Sequence, residues 1–120
     1  MRRLVLLFIA GLILTITIYP SSLLHIGNTL PDNNDTRLIA YIIGQVQNNL
    51  LHHQPLYSAT FFTPYSNTLT YSDLFLTSAI IPLPFRLLTS SPIIIFNLAY
   101  LVNGTLTFIT AYSFFHYLVK

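Results

Sequence analysis

Cysteine is absent from the 120 residues, and charge is scarce: five basic and three acidic side chains make up 7% of the chain, against about 25% in an ordinary soluble domain. The first absence excludes disulfides and thiolate metal centres. The second excludes a nucleic-acid surface, because a net charge of +2 drawn from so few groups makes no basic face. What is there is 53% hydrophobic. At this length it fills two or three helical spans of roughly 20 residues, with one sizeable connecting region. The expected fold class is all-α, a polytopic membrane protein carrying about three transmembrane helices.

Arg2 and Arg3 precede the uncharged run "LVLLFIAGLILTITIY", which continues to Leu24 if Pro20 only kinks it, so the first expected span is 4–24. Arginines ahead of a first span hold the N-terminus in the cytoplasm and place the chain from Ser21 onward outside. The following "YPSSLLHIG" offers no A-x-A cleavage site, so the run reads as an anchor and not as a signal peptide. An outer loop is expected over 25–72. Within it Ile39, Ile43, Val46 and Leu50 recur at helical steps beside Ile42 and Leu51, while Arg37, Gln45, Gln47, Asn48, Asn49 and His52 occupy the rest of the circumference. This pattern predicts an amphipathic helix over about 36–53, lying on the membrane surface or packed on other helices outside the bilayer. Asp35 and Thr36 stand at its start, and Pro55 follows its end.

"PLYSATFFTPYSNTLTYS" has the composition of an ordered aromatic loop at the membrane–water boundary. A second span is expected at 73–89, kinked by Pro82 and Pro84, and a third at 92–119. The last residues stay helix-like without a stop signal, and the chain reads as truncated at its C-terminus.

Chemistry can rest on few groups. Asp35, at the entrance of the surface helix, suits a general base for an acceptor hydroxyl, or a ligand of a divalent cation; an Asp before an amphipathic helix is, on sequence grounds alone, more often a cap. Asp73 carries the same two readings ahead of the second span. Arg86 matches the geometry of a phosphate on a lipid carrier, or snorkels from a span end. His52 and His53 are adjacent on a helix end and point apart, so they predict no metal site. Asn103, Thr107 and Thr110 form a polar stripe that predicts packing against further transmembrane helices.

"NDTRLIAYIIGQVQNNLLHHQPLY" after a first span, then "FFTPYSNTLTYSD" before the second and "SPIIIFNLAYLVNGTLTFITAY" as the third, resembles the N-terminal part of GT-C superfamily membrane glycosyltransferases. These use polyprenyl-phosphate-linked sugars. The resemblance runs from about Leu4 to Val119, with "TPYSNTLTYSD" its most distinctive stretch. It implies a multi-pass cell-membrane enzyme transferring a sugar from the lipid carrier to an acceptor on the outer face. Asp35 takes the position of the acidic residue of the first outer loop near the catalytic centre, where the acceptor is activated, and Arg37, Asp73 and Arg86 are the substrate-binding candidates. A divalent cation is compatible with this chemistry and not demanded by it. The alternatives are a small helical membrane protein that scaffolds larger partners through the stripe, and a transporter fragment, of which Pro82, Pro84 and Arg86 would be the trace.

Overall fold

The computed structural model describes residues 2–32, 34–62 and 64–119, and every regular element among them is helical. In chain order these are α1 (Arg2–Ile18), α2 (Pro20–Leu24), α3 (Asp35–Leu51), a 3-10 helix over Thr68–Tyr71, α4 (Leu76–Ile80), a second 3-10 helix over Leu83–Leu87, and α5 (Pro92–Leu118). The all-α class is as expected.

The expectation of three spans is not. Among the described residues only α5 is long and apolar enough to cross a bilayer. Its 27 residues cover about 40 Å at 1.5 Å per residue, against a hydrocarbon core of roughly 30 Å. Pro92 occupies its first turn, and the Ser91 hydroxyl accepts the Ile94 N–H at 3.4 Å.

The apolar α1 stops after 17 residues because the ring of Pro20 drives Tyr19 out of helical geometry, to φ −125° and ψ 57°. The 4–24 run is therefore two helices with a bend between them. Hydrogen bonds from the Tyr19 N–H to the Thr15 carbonyl (3.2 Å) and from the Leu23 N–H to the Tyr19 carbonyl (3.1 Å) bridge that bend.

Over 73–89 the correction is larger. Pro82 and Pro84 have no N–H to give, so α4 is only five residues long and the chain tightens into the 3-10 helix behind it. This segment is a bent arm packed on α3 and α5, with Leu87 and Leu88 projecting at its tip.

α1 and α5 pack antiparallel in the largest interhelical contact of the molecule. Positions that ascend α1 descend α5: Gly11 lies against Thr105 and Phe108, Thr15 against Gly104, and the Tyr19 and Tyr100 rings meet edge to face at 4.8 Å. Beyond the bend, the Asn97 amide donates to the carbonyls of Ile26 (2.9 Å) and Thr29 (2.8 Å), fastening the segment after α2 to α5. Small residues at the seam let the backbones approach, the usual device of helix pairs in lipid.

Away from the seam the pair is apolar. Leu4, Val5, Leu6, Phe8, Ile9 and Ile13 on α1, and Phe114, Phe115 and Tyr117 on α5, are exposed. The hydroxyls of Thr15, Thr17, Thr105, Thr107, Thr110 and Ser113 each donate to a carbonyl of the preceding helical turn. This leaves them no unmet donor in an apolar medium.

The core lies at the other end, where α3 and α4 cross the first turns of α5: Ala40, Ile42, Ile43, Val46, Leu69, Ala79, Ile95 and Phe96. α3 therefore takes the second of its two expected settings, packed on other helices. Its buried face is also rotated from the expected one. Gln47 and Asn49, expected on the polar side, are fully buried, while Leu38, Leu50 and Leu51 are exposed. The reason is hydrogen bonding. The Gln47 amide donates to the Ala79 carbonyl at 2.8 Å, and the Asn49 amide to the carbonyls of Ser58 (2.7 Å) and Leu56 (3.2 Å). Two polar side chains thus fasten α4 and the aromatic loop to α3, satisfying carbonyls that would otherwise be buried bare.

Candidate functional site

The site begins with the capping of α3. Asp32 Oδ1 accepts the Asn34 N–H at 2.8 Å and the Thr36 N–H at 3.4 Å, and the Thr36 hydroxyl donates to the Asp32 carbonyl at 2.6 Å. The Asn34 N–H, with help from Thr36, holds the Asp32 carboxyl below the ordinary aspartate range. The expected cap at Asp35 is thereby corrected. Asp35 occupies the first turn, exposed and without a side-chain partner among the described residues, because the carboxylate three positions earlier does the capping.

From there one face of α3 carries Arg37, Ala40, Tyr41, Gly44, Gln45 and Asn48, spaced by three and four residues, and this face walls a cleft of about 570 Å³. Across from it stand Arg86 from the second 3-10 helix, Ser90, and Pro92 and Ile93 at the start of α5; Leu30 closes one side. Gly44 lies at this crossing: a β-carbon there would sit 3.7 Å from that of Pro92, an ordinary van der Waals contact.

Arg86 is fixed by donation from Nη1 to the Ser90 carbonyl at 2.7 Å. Arg37 has no side-chain partner among the described residues and is exposed. The Tyr41 hydroxyl is tied to the Thr60 hydroxyl at 2.8 Å, and the Gln45 amide to Asn49 Oδ1 at 2.9 Å. The cleft therefore combines two guanidiniums, one without a partner among the described residues, with the apolar walls of Leu30, Ala40, Pro92 and Ile93. The N-terminal end of α5, the positive end of its dipole, opens on the same space. This is the chemistry of an anionic group attached to an apolar body.

Of the four residues singled out by sequence, Arg37 and Arg86 come together across the cleft although 49 positions separate them. Asp35 and Asp73 do not line it. Two residues of helix are roughly 200° of rotation, so Asp35 leaves α3 on a different side from Arg37. Asp73 is exposed in the stretch ahead of α4. Among the described residues no three His, Asp or Glu side chains gather where they could hold a metal ion.

Tyr41, Gln45, Asn48 and Ser90 escaped the sequence reading. The signal for the first three was present, since with Arg37 they fall at helical spacing, on a face that looked merely solvated.

No family model, curated protein or solved structure matches this chain.

Proposed function

We propose that the chain is the N-terminal membrane portion of a glycosyltransferase drawing its sugar from a polyprenyl-phosphate carrier, and that the Arg37–Arg86 cleft receives the lipid phosphate. The observation that carries this reading is the meeting of those two arginines in a cleft with apolar walls at the head of α5. A guanidinium fork matches phosphate geometry, and a pair offsets the charge that develops as the phosphate departs.

In this reading α1 with α2, and α5, cross the bilayer as an antiparallel pair. Arg3 and the end of α5 then share the cytoplasmic side, as the positive-inside rule favours. α3, α4 and the aromatic loop form a cap on the outer face, which contains all three aspartates. The exposed apolar sides of α1 and α5 meet lipid or further helices.

Asp35 is the base: freed from capping by Asp32, it takes the acceptor proton as the acceptor attacks the anomeric carbon and polyprenyl phosphate leaves. Because its carboxylate is on another side of α3 from the cleft, this role requires the acceptor to approach along the first turn of that helix and attack the anomeric carbon from the side opposite the bound phosphate. The test is Asp35→Asn in the full-length enzyme. Transfer is lost while membrane insertion is retained; normal transfer removes Asp35 from the mechanism.

The scaffolding alternative has less behind it. Asn103 reaches Ser78 at 3.4 Å, and the hydroxyls of Thr107 and Thr110 are spent on their own helix, so the stripe offers a partner little to bond.

A further inference from the structure

The loop between α3 and α4 carries a second concave surface, apart from the arginine cleft, whose lining among the described residues is made of rings. Phe62 and Tyr71 stand nearly perpendicular, at 82° with centroids 6.5 Å apart. With Tyr65 they line a shallow, open space of about 300 Å³. Phe62 is backed by Phe61 at 5.1 Å, and Phe61 by Tyr41 of α3 at 5.8 Å, so the outer walls rest on an aromatic row rooted in the cap.

The backbone holds the rings outward at a cost. Phe62 sits at φ 60°, a conformation unfavourable for a bulky side chain. Its carbonyl accepts the Tyr65 N–H at 3.0 Å, closing the turn that presents both rings. Phe62, Tyr65 and Tyr71 remain 63%, 69% and 70% exposed. Strain used to display aromatic rings is the reverse of what a loop needs merely to fold.

We propose that Phe62, Tyr65 and Tyr71 form a cage for a trimethylammonium group, with Asp73 as its counter-charge. Among the described residues the side chains of the walls offer no hydrogen-bonding group beyond two phenol hydroxyls, so a sugar would find few partners, whereas a quaternary ammonium needs none and is attracted to ring faces. Ser72 is extended, at φ −140° and ψ 170°, and Asp73 follows Tyr71 by two residues, within about 7 Å of backbone. Asp73 is exposed and has no side-chain partner among the described residues.

The experiment is saturation-transfer NMR on the full chain in a maltoside detergent. The probes are choline chloride and its neutral isostere, in which carbon replaces the nitrogen. Choline methyl protons are saturated, and the isostere binds several-fold more weakly. Tyr71→Leu and Phe62→Leu each loosen choline by about two- to fivefold, and Asp73→Asn loosens it by less, with helical circular dichroism unchanged in all three. Equal binding of the isostere, absence of choline binding, or indifference to both ring substitutions overturns the proposal. In nanodiscs, competition from phosphatidylcholine but not phosphatidylglycerol identifies a lipid headgroup as the natural source, and choline binding undiminished in both identifies a soluble quaternary amine.

Discussion

Gly104 of α5 and Thr15 of α1 are in such close contact that a β-carbon on Gly104 would lie 2.6 Å from Thr15 Cγ2 and 2.8 Å from its Oγ1. The threonine cannot easily swing aside, because its hydroxyl donates to the Gly11 carbonyl at 2.8 Å and β-branching stiffens its rotamer. Gly104→Ala is therefore expected to destabilise the helix pair by about 1–3 kcal/mol. Thr15→Ala in the same chain recovers most of that loss, since the remaining β-carbon would be 3.3 Å away. A double-mutant cycle of thermal unfolding in detergent reads the coupling; additive effects would show that the two helices do not meet there.

Asn97 fastens the segment after α2 to α5. Replacing it with Ala strands the carbonyls of Ile26 and Thr29, at about 1–3 kcal/mol for each buried group left unpaired. Asn97→Asp fails as well, because a carboxylate has no donor to offer. A melting temperature unchanged by both substitutions would mean that these hydrogen bonds are not formed.

Much of this was legible in advance. The all-α class, α3 to within about two residues at either end, and α5 follow from hydrophobic period and run length. The second span fails on local backbone chemistry: the hydropathy of Leu74–Thr89 suits a membrane, but Pro82 and Pro84 prevent the helix that would carry it across. The rotation of α3 was not readable, because Gln47 and Asn49 are buried by partners on α4 and the aromatic loop that only the tertiary fold supplies. Arg37 and Arg86 could each be suspected of meeting phosphate, but their convergence depends on α3 crossing the start of α5, a relation between segments that no local pattern records.

Asp32 makes the start of α3 sensitive to acid. Its folded pKa lies below the unfolded value of about 3.9, so the carboxylate binds protons more weakly in the folded chain. It therefore contributes stability above pH ~3.9 that is lost as pH falls through the lower, folded value. Asp32→Ala removes this contribution: the variant is less stable than the parent at neutral pH, and the gap narrows as pH falls through the folded pKa of Asp32. A gap that persists undiminished in acid would place the effect of Asp32 elsewhere than in its charge.

The absence of cysteine makes topology directly measurable. Ser66 is in the exposed outer loop and Tyr117 near the end of α5, 78% exposed. In sealed cells an impermeant thiol reagent is expected to label Ser66→Cys at once, and Tyr117→Cys only after permeabilisation. Labelling of both from outside would exclude the antiparallel crossing of α1 and α5.

Titration of a short-chain prenyl phosphate into the chain in detergent, compared across wild type, Arg37→Gln, Arg86→Gln and the double variant, addresses the cleft itself. Each single substitution is expected to weaken binding by about tenfold or more, the double variant to lose less than the product of the two, and the corresponding prenyl alcohol to bind weakly and equally to all four. Undiminished affinity for the phosphate in the double variant would contradict the assignment of the Arg37–Arg86 cleft as the lipid-phosphate site.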